Sequence, residues 1–146
     1  MSVEENKALI RRYFEAIDAA CSSGNADVLD GFLAPDFVTH NPFPGMAPGI
    51  EGAKRLFLMF VAASPGRHVV EDLIAEGDKV VGRITAYGTH EGELLGIPRT
   101  GKPMRMTAMT MWRIANGQIV EHWSEMDTLG LLQQLGALEM PAPKPI

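Results

Sequence analysis

A change of hydrophobic rhythm at Arg67 constrains this chain more than any other feature. After it come four stretches rich in Val, Ile, Thr and Met: His68 to Ala75, Lys79 to Thr89, Pro103 to Ile114 and Gln118 to Glu125. Glu76-Gly77-Asp78 and Asn116-Gly117 fall between two pairs of them, and such sequences make tight hairpin turns. Before Arg67 the spacing is helical. Helices first and strands afterwards predict an α+β fold with helices packed on a meandering, mainly antiparallel sheet.

The helical half begins with Val3 to Cys21, where Leu9, Ile10, Tyr13, Phe14, Ile17 and Ala20 lie three and four apart and Ser22-Ser23-Gly24 supplies a stop. Asn25 is an N-cap for a short helix through Leu33, which Ala34-Pro35-Asp36 then breaks ahead of an extended Phe37 to His40. A Pro- and Gly-rich loop from Asn41 to Gly49 leads into a helix over Ile50 to Ala63, closed by Ser64-Pro65-Gly66. Thr128 to Leu135 reads as a short closing helix, and Pro141 to Ile146 as a loose tail.

Composition narrows the function. A chain of 146 residues fits one domain, with a core over about residues 6–138. Thirteen Lys and Arg against 18 Asp and Glu, scattered along the chain, argue against a nucleic-acid partner. The longest apolar run, Leu56 to Ala63, is under half the roughly 20 residues of a membrane span. A single cysteine, Cys21, and a charged start, MSVEENKALIRR, point to a cytoplasmic protein without disulfides or membrane association. His40, His68, His90 and His122 show no metal-ligand spacing, and no phosphate or dinucleotide loop is present, so neither metal nor cofactor is expected.

Three strings carry a resemblance: DFVTHNP at 36–42, EGDKVVGRITAYGTHEGELLGIPRTGK at 76–102 and NGQIVEHWSEMDTLGLLQQLG at 116–136. They are similar to the SnoaL-like polyketide cyclases, or ester cyclases, of the nuclear transport factor two-like fold. The resemblance implies a cone-shaped α+β barrel, with a curved sheet around a deep pocket roofed by helices, and a homodimer. It also implies a catalytic aspartate on the last strand, three residues before the Asp that opens the closing helix. Asp127 matches the latter, so the catalytic position falls on Ser124.

Alternation along strands then assigns faces. Val120 and His122 join Ser124 on the inner face, with Glu121 and Trp123 outside. Met104, Met106, Ala108, Thr110 and Trp112 are expected inside, Met109 and Met111 outside. Phe14, Ile17 and Leu56 from the helices and Thr85 from the second long strand complete the expected lining with Met106, Ala108, Thr110 and Trp112. Related limonene epoxide hydrolases carry an Arg and an Asp where Arg83 and Thr85 stand, and an amide where His40 stands. Steroid isomerases carry Asp where this chain has Asn41 and Thr110.

The candidate catalytic residues are therefore His40, Arg83, His122, Ser124 and Asp127. His40 offers a base or hydrogen-bond donor, His122 a partner for the Ser124 hydroxyl, and Arg83 a buried cation needing a carboxylate or an anionic ligand. Asp127 is placed to cap the closing helix first and to do chemistry second. His90 is expected to satisfy backbone groups of its glycine-rich hairpin, and His68 to be a surface strand residue. Two readings follow. One is a cofactor-independent enzyme performing cyclisation, isomerisation or hydrolysis on a hydrophobic polyketide- or terpenoid-like molecule, and the other is a carrier of such a ligand that has lost the carboxylate. The outward Met109, Met111 and Trp123 are expected to form the homodimer contact, or at the least an interaction surface.

Overall fold

In the computed structural model, which describes residues 1–139 and 141–146, the chain runs α1 (Val3–Ala20), a 3-10 helix (Ala26–Gly31), β1 (Leu33–Thr39), α2 (Ile50–Ala63), β2 (Gly66–Glu76), β3 (Lys79–Thr89), β4 (Pro103–Ala115), β5 (Gln118–Met126) and α3 (Thr128–Gln134). A reciprocal cap starts α1: the Glu5 N–H donates to Ser2 Oγ at 3.1 Å and the Ser2 N–H donates to Glu5 Oε2 at 2.7 Å. Its buried stripe is Leu9, Ile10, Phe14 and Ile17, the face that the spacing predicted. No helix of the described residues is long and apolar enough to cross a membrane.

The sheet order is β1-β5-β4-β3-β2. Strands β2 to β5 form the expected antiparallel meander, whereas β1 pairs with β5 in parallel. The sheet stays open, because β1 and β2 are its two edges. Strand β1 starts at Leu33, earlier than the Ala34-Pro35-Asp36 break suggested. An edge strand tolerates a residue without an N–H, and the β1 register shifts between Leu33 and Val38. Asn116 and Gly117 have φ of 52° and 73°, the double positive that a two-residue hairpin turn requires.

Two bulges decide which side chains face inward. Arg113 pairs with Glu121 but Ile114 pairs with Ile119, leaving Val120 unpaired. Alternation therefore flips at Val120, and Ile119, fully buried in the core, takes the inner place expected for Val120. On β2 the extra residue is Glu71, between Val70 and Asp72.

Strand β3 corrects a second expectation. Ile84 is 4% exposed and sits in the core, so Arg83 and Thr85, one residue to either side, lie on the outer face. Arg83 is an exposed cation paired with Asp72 at 2.8 Å. Thr85 is buried there, donating its hydroxyl to Glu71 Oε1 at 3.0 Å.

Two apolar clusters hold the helices to the sheet. One joins α1 and the 3-10 helix to β1, β3, β4 and β5, with Trp112 at 2% exposure as its largest member. The other joins Ala63, Leu94 and Met104 to Leu131 and Leu135 at the chain's far end. Gly82 lets Trp112 lie against β3, since a Cβ at that position would meet the indole ring at 2.9 Å. His90 is fully buried, and its Nδ1 accepts from the Thr100 N–H at 3.2 Å, the backbone service expected of it.

Candidate active site

Side chains from both clusters wall a cavity of about 270 Å³ bounded by α1, α2 and the inner face of the sheet. Phe14, Ile17, Leu56, Met106, Ala108, Thr110 and Trp112 line it, as do His122 and Ser124. The inward parity assigned to β4 is therefore correct along its length. Most of the lining is apolar, which suits a hydrophobic small molecule and leaves a few polar groups to orient it. Two hydrogen-bonded clusters stand out among them, one at each end of the Phe14–Trp112 pair.

At the β5 end, Thr110 Oγ1 and Ser124 Oγ share a hydrogen bond of 2.8 Å across neighbouring strands. Asn41, just past β1, grips the Ser124 backbone: its Oδ1 accepts from the Ser124 N–H at 2.9 Å and its Nδ2 donates to the Ser124 carbonyl. This side-chain amide continues the parallel β1–β5 pairing where the chain turns into its Pro-rich loop. Thr39 Oγ1 and His122 Nδ1 share a further bond of 2.9 Å. Phe37 and Trp112 flank the His122 ring at 6.2 and 6.3 Å between centroids. Burial among them pushes the imidazole down to about 4, so at neutral pH the ring is uncharged.

The second polar end is formed by Asp18 of α1 and His68 of β2. His68 Nδ1 donates to Asp18 Oδ1 at 2.6 Å, and the His68 backbone N–H donates to Asp18 Oδ2 at 2.9 Å. The Phe14 ring packs on the imidazole, 5.1 Å between centroids. Both residues line the cavity, and Asp18 is the one carboxylate among the described residues that do. His68 is thus no plain surface residue. The signal for it was available on α1, where Asp18 follows Phe14 by one turn and so puts a carboxylate on the helix's apolar face.

The remaining candidates lie elsewhere. His40 is not part of the cavity wall: its Nε2 donates to Glu121 Oε1 at 3.0 Å and its ring stacks on outward Trp123 at 4.6 Å. Glu121 is held ionised by Arg113 first and His40 second, which lower it from the usual carboxylate range. Residue 40 follows β1 on the side of outward Glu121 and Trp123, and so is carried away from Ser124. Arg83, on the outer face of β3, also leaves the site, as does Thr85. Asp127 caps α3, accepting from the Gly130 N–H at 2.9 Å, and its side chain does not reach the cavity wall. Of the five catalytic candidates, the structure brings together His122 and Ser124.

The chain has counterparts in both structure and sequence. TsrD from Streptomyces laurentii superposes with a TM-score of 0.81 at 32% identity, over 94% of this chain and 99% of that one. In sequence, the aklanonic acid methyl ester cyclase DauD of Streptomyces sp. (strain C5) is 32% identical over 94% of this chain and 83% of its own length. The nogalonic acid methyl ester cyclase of Streptomyces nogalater is 30% identical over 81% of this chain and 90% of its own. The profile of the SnoaL-like polyketide cyclases matches residues 9–135, from the buried face of α1 to the end of the closing helix, and the chain belongs to that family.

Proposed function

We propose that this protein is a cofactor-independent cyclase, working in the cytoplasm as a homodimer, whose substrate is a hydrophobic, carbonyl-rich ester of the polyketide type. The observation that supports this most is the cavity itself: a mostly apolar lining into which a few hydroxyl, amide and imidazole groups are set. The relatives' names, aklanonic and nogalonic acid methyl ester cyclases, supply the substrate class. Intramolecular aldol closure needs a base for a carbon acid and hydrogen bonds for the developing oxyanion. Ser124, where the resemblance implies the acid/base aspartate, supplies a hydroxyl instead of a carboxylate. With Thr110 and neutral His122 it forms a hydrogen-bonding end suited to a carbonyl oxygen.

Incubation with aklanonic acid methyl ester, followed by chromatography and mass spectrometry, tests the reading. A product of unchanged mass and altered retention, formed equally in the presence of a chelator, is expected. Saturable binding without turnover would favour the carrier reading, which the loss of the last-strand carboxylate independently suggests.

A further inference from the structure

We propose that the proton-transfer centre of this enzyme is the His68–Asp18 pair at the α1/β2 end of the cavity, with His68 Nε2 as the catalytic base and Asp18 as the residue that positions it. The inference rests on the cyclase reading above and names the residue that performs its chemistry. Four observations lead to it. Asp18 is the one carboxylate among the described residues lining the cavity, and it is spent on His68. An ionised carboxylate only accepts hydrogen bonds, so the bond at 2.6 Å puts a ring proton on Nδ1, and in the neutral imidazole the lone pair is then on Nε2.

Nε2 has no hydrogen-bond partner among the described residues, and His68 is one of the residues that line the cavity. The second bond, from the His68 backbone to Asp18 Oδ2, locks the carboxylate in place, and Phe14 holds the ring's plane. The neighbouring cation, Arg67, is engaged over the Tyr87 ring at 4.7 Å.

The other cavity histidine is less suited to the task. His122 is already bonded to Thr39 through Nδ1, and no carboxylate orients it. An edge-to-face Phe14–Trp112 pair at 5.8 Å separates the two ends, with His68 against Phe14 and His122 against Trp112. A substrate lying along this aromatic wall presents its carbon acid and the ketone that it attacks to His68, and a carbonyl remote from the new bond to the Ser124 end.

The chemistry balances without a co-reactant. Nε2 takes the proton from a carbon between two carbonyls, and the C–H electron pair becomes the enolate. The enolate carbon attacks a ketone carbon of the same molecule, forming a C–C bond while the carbonyl π pair moves onto oxygen. The imidazolium then returns its proton to that alkoxide. Substrate and product are isomers, and the ring ends neutral.

Two assays on the full chain separate this inference from the reading beneath it. One is cyclisation of aklanonic acid methyl ester. The other is deuterium exchange at the acidic carbon of methyl 3-oxodecanoate in D2O, which requires only the base. His68→Gln is expected to lower kcat and the exchange rate by about 10²- to 10⁴-fold while KM changes little. Loss of exchange in the variant, where the wild type exchanges but does not cyclise, would sustain His68 as the base and overturn the cyclase reading. Cyclisation or exchange within about threefold of wild type in folded His68→Gln would overturn the inference, while the cyclase reading stands or falls on cyclisation by the wild type. A wild type inert in both assays would overturn both.

Should His68→Gln fail to fold, Asp18→Asn replaces it. That variant is expected to slow exchange at least about tenfold by loss of the correct tautomer. In 15N spectra of the histidine rings, its His68 should move away from the Nδ1–H form, a change that a merely structural role for Asp18 would not produce. An unchanged tautomer and rate would sink the pairing.

Discussion

At the scale of single residues, Ser124 is the position where a small change should matter most. Its hydroxyl already bonds Thr110, and its backbone is held on both sides by Asn41, so a carboxylate placed there would be fixed and partly desolvated. Ser124→Asp should raise cyclase activity by about 10²- to 10⁴-fold over the background left when His68 is replaced, because a substrate turned end for end brings its carbon acid to the new carboxylate. Assaying the double variant His68→Gln with Ser124→Asp against His68→Gln alone checks this. No gain would mean that the β5 end never receives the reacting carbon.

His122 gives a pH prediction of known sign. Its folded-state imidazole is depressed to about 4 by burial, against 6.5 when exposed. Above pH 6.5 both states are neutral, and between 6.5 and 4 only the unfolded chain takes the proton. Stability is therefore present above about pH 6.5 and is lost as pH falls through the folded value, by up to about 3 kcal/mol. Urea midpoints at pH 7 and pH 4.5 should converge in His122→Gln relative to wild type. Residue identity of this kind was only half legible in sequence. Ser124 was placed by the resemblance and His122 by alternation from it, but the His68–Asp18 bond joins two elements 50 positions apart, and no spacing rule connects them.

At the scale of elements, legibility depended on regularity. Strand β4 runs without interruption through its pairing with β3, and every inward residue read from its alternation lines the cavity or the core. Strand β5 carries a bulge, and the single misplaced residue, Val120, is the bulged one. For β3 the core position of Ile84 settled the face, against the analogy that set Arg83 and Thr85 inside. The closing helix was legible at its cap. Asp127→Ala should cost about 0.5–2 kcal/mol in urea unfolding, because the Gly130 N–H loses its acceptor. Asp127→Asn, which keeps an oxygen there, should be mild, and neither should change kcat. A large activity loss at unchanged stability would return Asp127 to the catalytic set.

At the scale of the whole molecule, the outer face of the sheet is patterned in rows. Val81, Met111 and Trp123 stand side by side across β3, β4 and β5. On one side runs the row Arg83, Met109 and Glu125, and on the other Lys79, Arg113 and Glu121. An apolar row between charged ones is the anatomy of an interface core with a polar rim. Met109, half exposed at 52%, is a large apolar side chain left in solvent between two charges. A two-fold axis through this face would bring each apolar row onto its copy and let the ion pairs Arg83–Asp72 and Arg113–Glu121 form the rim. We therefore expect a dimer at micromolar concentration in sedimentation velocity. Met109→Glu places a carboxylate against its own copy across the axis and should shift the protein to monomer, while Trp123→Ala should weaken the dimer without abolishing the fold. The cavity opens on the opposite face of the sheet, so the Met109→Glu monomer should keep its turnover. A wild-type monomer unaffected by either substitution would leave the row without a partner. A dimer that survives both would put the contact on another face.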